Sequence, residues 1–126
     1  RRQSTKFNGV PYVIQRAAEA ALSDEGKKQC RLAIDYYKEN ARRIADLMNR
    51  KSIRFTGGIN SPYIWLQCPD NMDSWRFFDF LLTRAHVVGT PGAGFGHAGE
   101  GFFRLTSFGS HDATAEAIDR LEEILS

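Results

Sequence analysis

From Thr90 to Gly109 the chain reads T-P-G-A-G-F-G-H-A-G-E-G-F-F-R-L-T-S-F-G, and no other stretch limits the fold as strongly. Gly92, Gly94, Gly96, Gly99, Gly101 and Gly109 are six of the chain's 11 glycines. Glycine loses the most backbone freedom on ordering and gives a core no side chain. Residues 90–101 are therefore expected to turn tightly or pass close to other backbone rather than form a regular element. Regular structure resumes with Phe102-Phe103-Arg104-Leu105-Thr106, a strand composition expected to run to Phe108.

The rest of the chain supplies elements for this stretch to join. Tyr12 to Leu22 is Ala-rich and apolar all round, as in a helix packed on several sides. Ser23-Asp24-Glu25 starts a long helix with acids in its first turn. Cys30, Ile34, Tyr37, Ala41, Ile44 and Met48 give that helix one apolar face, and Glu39, Asn40, Arg42, Arg43 and Asp46 mostly fill a solvated one. Lys51 to Gly58 reads as a short strand into a Gly-Gly turn, and Tyr63 to Cys68 as the best strand by composition. Asp73 is expected to cap a helix whose apolar residues are Trp75, Phe78, Leu81 and Leu82. His86-Val87-Val88 reads as a short strand. Ser110 or Asp112 is expected to cap a last helix carrying Ala117, Ile118, Leu121, Ile124 and Leu125 on one stripe. This order predicts an α+β fold: a small, mostly antiparallel sheet with helices packed on it.

With 126 residues the prior is one compact domain with one real core. A formal net charge of +2, with acids and bases mixed along the chain, leaves no footprint for nucleic acid or an anionic membrane. No apolar run approaches the roughly 18 residues of a spanning helix. Cys30 and Cys68 lack metal-ligand spacing and read as reduced thiols. The opening Arg1-Arg2-Gln3-Ser4-Thr5-Lys6, without a methionine, suggests a piece of something longer.

Several motifs tempt and are set aside on context. Gly94-Phe95-Gly96-His97-Ala98-Gly99 spells G-x-G-x-x-G, but a dinucleotide fingerprint must open a helix, and here a strand follows. Asp119, where a ribose-binding acid is sought, falls inside an amphipathic helix. Ser110-His111-Asp112 has triad letters, yet triad members meet in space and are rarely sequence neighbours. His86 and His97 find no third ligand, so no metal is expected. Lys6 reads as a surface lysine and Asn8, before Gly9, as a turn residue. Arg104 stands apart. A guanidinium among Phe, Leu and Thr is costly to bury unless an anion meets it, and its fork fits a carboxylate with two parallel hydrogen bonds. That carboxylate belongs either to a ligand or to an internal Asp or Glu, and strand context does not choose between them.

Gly89-Thr90-Pro91-Gly92-Ala93-Gly94-Phe95-Gly96 and Gly99-Glu100-Gly101-Phe102-Phe103-Arg104-Leu105-Thr106 resemble the C-terminal domain of class I/II, fold type I pyridoxal-phosphate aminotransferases. Thr5-Lys6-Phe7-Asn8-Gly9, Gly58-Ile59-Asn60-Ser61-Pro62-Tyr63-Ile64-Trp65 and Ser74-Trp75-Arg76-Phe77-Phe78-Asp79 are more specific. With them, nearly the whole chain resembles the LL-diaminopimelate aminotransferases of lysine biosynthesis. His97-Ala98 departs from the Pro-Ser of the family pattern, a variation in a loop.

The resemblance implies a homodimer with shared active sites, each subunit having a large cofactor domain and a small domain built partly from this segment. Residues 1–22 would connect the two, and 23–126 would form the small α+β domain. The implied reaction interconverts LL-diaminopimelate plus 2-oxoglutarate with tetrahydrodipicolinate plus glutamate, using pyridoxal 5'-phosphate. Arg104 matches the family arginine that grips the substrate α-carboxylate, and Asn8 an asparagine reaching cofactor and substrate, in the neighbouring subunit's site. The Schiff-base lysine of the family lies upstream of this segment and Lys6 does not match it, so the segment alone is expected to be inactive. A bacterial cytoplasm and a plastid stroma are both compatible with the family. The alternatives are another class I/II aminotransferase using the same arginine, or a non-catalytic small-molecule-binding module.

Overall fold

The computed structural model describes residues 9–125. The chain divides into two compact units, Arg1–Asp35 and Tyr36–Ser126.

In the first unit, helix α1 (Tyr12–Leu22) ends where Ser23 turns extended, and α2 (Asp24–Arg50) begins. The Ser23 hydroxyl works in both directions at this corner. It donates to the Ala20 carbonyl (2.6 Å) and accepts from the Gly26 amide (3.1 Å), capping the new helix. Contrary to the expectation of a helix packed on several sides, α1 buries none of its residues. Cys30 and Ile34, expected on the apolar face of α2, are exposed too. The described residues of this unit, one helix, a corner and a half-helix, are too little chain to enclose an apolar surface.

In the second unit the continuation of α2 buries Asn40, Ala41, Ile44, Leu47 and Met48. Asn40 corrects the sequence reading, which put it on the solvated face. It is fully buried, and its amide donates to the carbonyls of Ser107 (3.1 Å) and Gly109 (2.8 Å). Glu39, Arg42, Arg43 and Asp46 do form a solvated cluster. Hydrogen bonds from Arg42 and then Arg43 pull the Glu39 carboxyl down to about 2.

The helix closes with Ser52 left-handed (φ 56°) and the Ile53 amide bonded back to the Met48 carbonyl (2.9 Å). That closure uses residues expected to begin a strand, so β1 is only Phe55–Gly57. A turn through Gly58 leads to β2 (Tyr63–Gln67). A single 3-10 turn, Pro69–Asn71, then precedes α3 (Ser74–Ala85), capped as expected by Asp73, whose carboxylate accepts from the Arg76 amide (2.8 Å). His86 is the left-handed end of α3, and the Val87 amide bonds back to Leu81 (3.3 Å). Residues 86–88 therefore terminate a helix rather than form a strand, and β3 is only Thr90–Pro91. Two 3-10 turns, Gly92–Phe95 and His97–Gly99, carry the chain to β4 (Phe102–Thr106), which stops short of Phe108. Of the two candidate caps for α4 (His111–Ile124), Ser110 is the one used, accepting from the Ala113 amide (3.1 Å).

The sheet order is β1-β2-β4-β3 and every pairing is antiparallel, as the α+β reading predicted. Ile64 and Leu66 of β2 and Phe103 and Leu105 of β4 point to one face, where they meet Ile44, Leu47 and Met48, Phe77 and Leu81, and Leu121 and Leu125 in one core. The inward face of α3 is Ser74, Phe77, Leu81 and Ala85, not the predicted Trp75 and Leu82, which are exposed. The rotation has a long-range cause: the Ser74 hydroxyl is buried and bonded across to the glycine stretch, which fixes which side of α3 faces in.

Candidate functional site: an arginine on the open face of the sheet

The helices of the second unit contribute to the one core, and among the described residues of that unit no helix covers the opposite face of the sheet. Strand alternation presents Tyr63, Trp65 and Gln67 of β2 and Phe102, Arg104 and Thr106 of β4 on that face. The register sets Trp65 opposite Arg104, with Thr90 on its other side. Arg104 thus stands on a central strand between two neighbours, half-buried among aromatic rings. Its guanidinium carbon lies 4.4 Å from the centroid of Tyr63 and 4.6 Å from that of Phe95. Trp65 meets Phe95 edge-on (5.6 Å, 72°) and stacks on Phe102 (5.7 Å, 18°).

The sequence left two partners open for Arg104, an internal acid or a ligand. Among the described residues no ion pair involves Arg104, whereas Arg16, Arg42, Arg43, Arg50 and Arg120 all pair with acids. Among the described residues no hydrogen bond uses its side-chain N–H groups either, which leaves them facing any incoming anion.

The glycine stretch is held in place by two residues that local pattern did not single out. The Ser74 hydroxyl, fully buried, accepts from the Gly101 (3.1 Å) and Ala93 (3.3 Å) amides and lies within hydrogen-bond reach of the Phe102 (3.0 Å) and Gly99 (3.3 Å) carbonyls. Glu100 reaches back to the start of α3, where its carboxylate accepts from the Ser74 (2.8 Å) and Gly101 (2.9 Å) amides. The first of these is a free donor of a helix N-terminus, where negative charge is favoured. Those bonds, Ser74 first, hold the Glu100 carboxyl below its ordinary value of 4.5. The close approach that the glycines were expected to allow is present. A Cβ on Gly99 would stand 2.6 Å from the carbonyl carbon of Gly92, so neither strand of that crossing tolerates a side chain.

A depressed carboxyl stabilises the fold above its unfolded pKa and loses that contribution as pH falls through the folded one. Glu100→Gln is therefore expected to be less stable than the parent at neutral pH, with the gap closing as pH drops below 4.5. Urea midpoints of the full-length proteins at neutral and acid pH measure this. A gap independent of pH would show that the carboxylate charge is not what holds the turn.

The G-x-G-x-x-G letters lie in the 3-10 turns and lead into β4, so no helix N-terminus is offered there to a phosphate. Residues 94–99 thus make no helix-end cradle for the phosphate of pyridoxal 5'-phosphate. Asn8 and Lys6 lie outside the described residues. Asp119 is exposed on α4. His111 is not arranged as a catalytic base: its ring stacks on Tyr36 (3.7 Å, 11°) and its backbone amide donates to the Tyr36 hydroxyl (2.9 Å). Among the described residues no cluster of His, Cys, Asp or Glu could hold a metal ion. Burial pushes the Cys68 thiol up to about 11, which keeps it protonated.

No family model matches the chain. Individual relatives do. It is 54% identical over 125 residues to the LL-diaminopimelate aminotransferase of Azobacteroides pseudotrichonymphae, covering 99% of this chain and 31% of that protein. It is 52% identical to that of Methanosphaera stadtmanae, over 98% of this chain and 30% of the relative. In structure it resembles L,L-diaminopimelate aminotransferase from Chlamydomonas reinhardtii, with a TM-score of 0.89 and 38% identity over 98% of this chain and 30% of that one. An aminotransferase from Mycobacterium tuberculosis shares the fold with a TM-score of 0.85 and 25% identity, over 97% of this chain and 32% of the other. The chain thus spans about a third of the length of the proteins it matches. Sequence and fold together make the chain similar to a C-terminal segment of LL-diaminopimelate aminotransferases.

Proposed function

We propose that this chain is the carboxylate-gripping small-domain segment of an aminotransferase acting on LL-diaminopimelate, with 2-oxoglutarate and glutamate as the partner pair. Arg104 carries the reading. It is a half-buried arginine on the open sheet face, with neither an acidic partner nor a side-chain hydrogen bond among the described residues. The α-carboxylate common to amino acid substrates has the planar geometry that such a fork accepts. The implied cofactor, pyridoxal 5'-phosphate, supplies the electron sink and amine carrier when bound. No part of that chemistry falls to the described residues, whose work is to bind and orient. The covalent lysine, the phosphate site and the homodimer partner belong to the rest of the enzyme. Asn8 is proposed to reach the cofactor and substrate of the neighbouring subunit, and residues 1–22 to connect the two domains. The segment by itself is proposed to be inactive.

Incubating the full-length enzyme with LL-diaminopimelate and 2-oxoglutarate, and following glutamate, tests the substrate assignment. Turnover is expected. Its absence, with transamination of a different amino acid, would transfer the same Arg104 role to another class I/II aminotransferase. Transamination by the isolated segment with added cofactor would overturn the division of labour.

A further inference from the structure

The environment of Arg104 carries more than a free cation. We propose that Tyr63 and Phe95 are positioning residues that hold the Arg104 guanidinium in its receiving orientation. This rests on the reading of Arg104 as the carboxylate-binding group. A half-buried arginine has to be oriented by something. A carboxylate partner would fix it but would occupy the same N–H edge that a ligand needs. An aromatic face attracts the cation through the ring quadrupole and takes up no N–H donor. Two rings, with centroids 4.4 and 4.6 Å from the guanidinium carbon, give Arg104 both favourable contact and direction. The side chain is thereby ordered before substrate arrives, which reduces the ordering cost that binding must overcome.

The two rings come from different parts of the fold. Tyr63 is fixed by the sheet, as the first residue of β2. Phe95 is the last residue of the 3-10 turn Gly92–Phe95, and 52% of its surface is exposed. Its place over Arg104 depends on the glycine stretch, on the Ser74 and Glu100 bonds that tie that stretch to α3, and on Trp65 edge-on beside it. The glycine stretch thus has a product, which is the delivery of Phe95 to the face of Arg104.

The test uses Phe95→Leu, Phe95→Tyr and Arg104→Lys in the full-length enzyme, reading KM and kcat for LL-diaminopimelate together with melting temperature. Because Phe95 is largely exposed, Phe95→Leu is expected to fold with an unchanged melting temperature. Loss of the π-face is expected to raise KM about fivefold with kcat within about twofold, the mark of weakened ground-state binding. Phe95→Tyr, which keeps the face, is expected to restore KM to within about twofold of the parent. If Arg104→Lys raises KM and Phe95→Leu does not, the positioning role falls and the carboxylate reading stands. If Phe95→Tyr is as impaired as Phe95→Leu, ring shape rather than the aromatic face matters, and the proposal again falls. If Arg104→Lys leaves KM unchanged, the carboxylate reading itself fails.

Discussion

Arg104→Lys in the full-length enzyme is expected to lower kcat/KM for the amino acid substrate by about 10- to 100-fold, the loss of one charge-assisted hydrogen bond at about 1.5–3 kcal/mol. Lysine keeps the charge but replaces a planar fork with a single ammonium, so the second parallel bond of the proposed carboxylate grip goes. Cofactor content, read from the absorbance of the bound pyridine, is expected to stay at the parent level, because the role proposed for Arg104 is toward the substrate carboxylate. Folding stability is expected to stay as well. The substitution leaves no buried acid unpaired, since none of the described acids pairs with Arg104. Unchanged kinetics would remove Arg104 from the site.

One residue earlier the expectation reverses. Phe103→Ala is expected to cost about 3–5 kcal/mol of stability, the range for emptying a buried phenylalanine site. Phe103 is fully buried and meets Phe77 edge to face (5.2 Å, 89°). In register it lies between Leu66 of β2 and Pro91 of β3, so three strands share the cavity its loss would leave. Urea denaturation of the full-length protein measures the loss. A change below about 1 kcal/mol would mean that neighbours collapse into the site. In folded enzyme at low temperature, KM is expected to move far less than in Arg104→Lys.

Much of this arrangement is legible in the sequence, where the deciding interaction is local. The caps at Asp73 and Ser110 follow from oxygen side chains ahead of apolar periodicity. The strands at 63–67 and 102–106 follow from β-type composition between turn residues. Arg104 is visible because a guanidinium in an apolar strand contradicts its surroundings. Interactions that span the chain are not visible. The partners of Asn40 lie 67 and 69 residues away, so its position beside Glu39 and Arg42 reads as solvated until Ser107 and Gly109 arrive. The phase of α3 is set by Ser74 bonding to residues 19 to 28 positions further on, which outweighs the attraction of Trp75 for a core. The apparent strand at 86–88 fails because a valine pair shows β preference, while the left-handed His86 ahead of it is fixed by helix closure. Phe95 carries no signal at all in sequence, since its role exists only once a glycine-rich turn has been folded over a neighbouring strand.

The pairing of Trp65 with Arg104 and of Leu66 with Phe103 has a consequence for how the sheet avoids misassembly. In a strand, a slip by a single residue exchanges the two faces. Moved by one position, β4 would press the Arg104 cation against Phe77 and Leu81 and leave Phe103 in water. An unpaired guanidinium in that interior is heavily penalised, while a neutral residue at 104 would make the shifted pairing far less costly. The residue proposed to receive the substrate therefore also proofreads the sheet, so that a chain able to hold the carboxylate is one that has found its register.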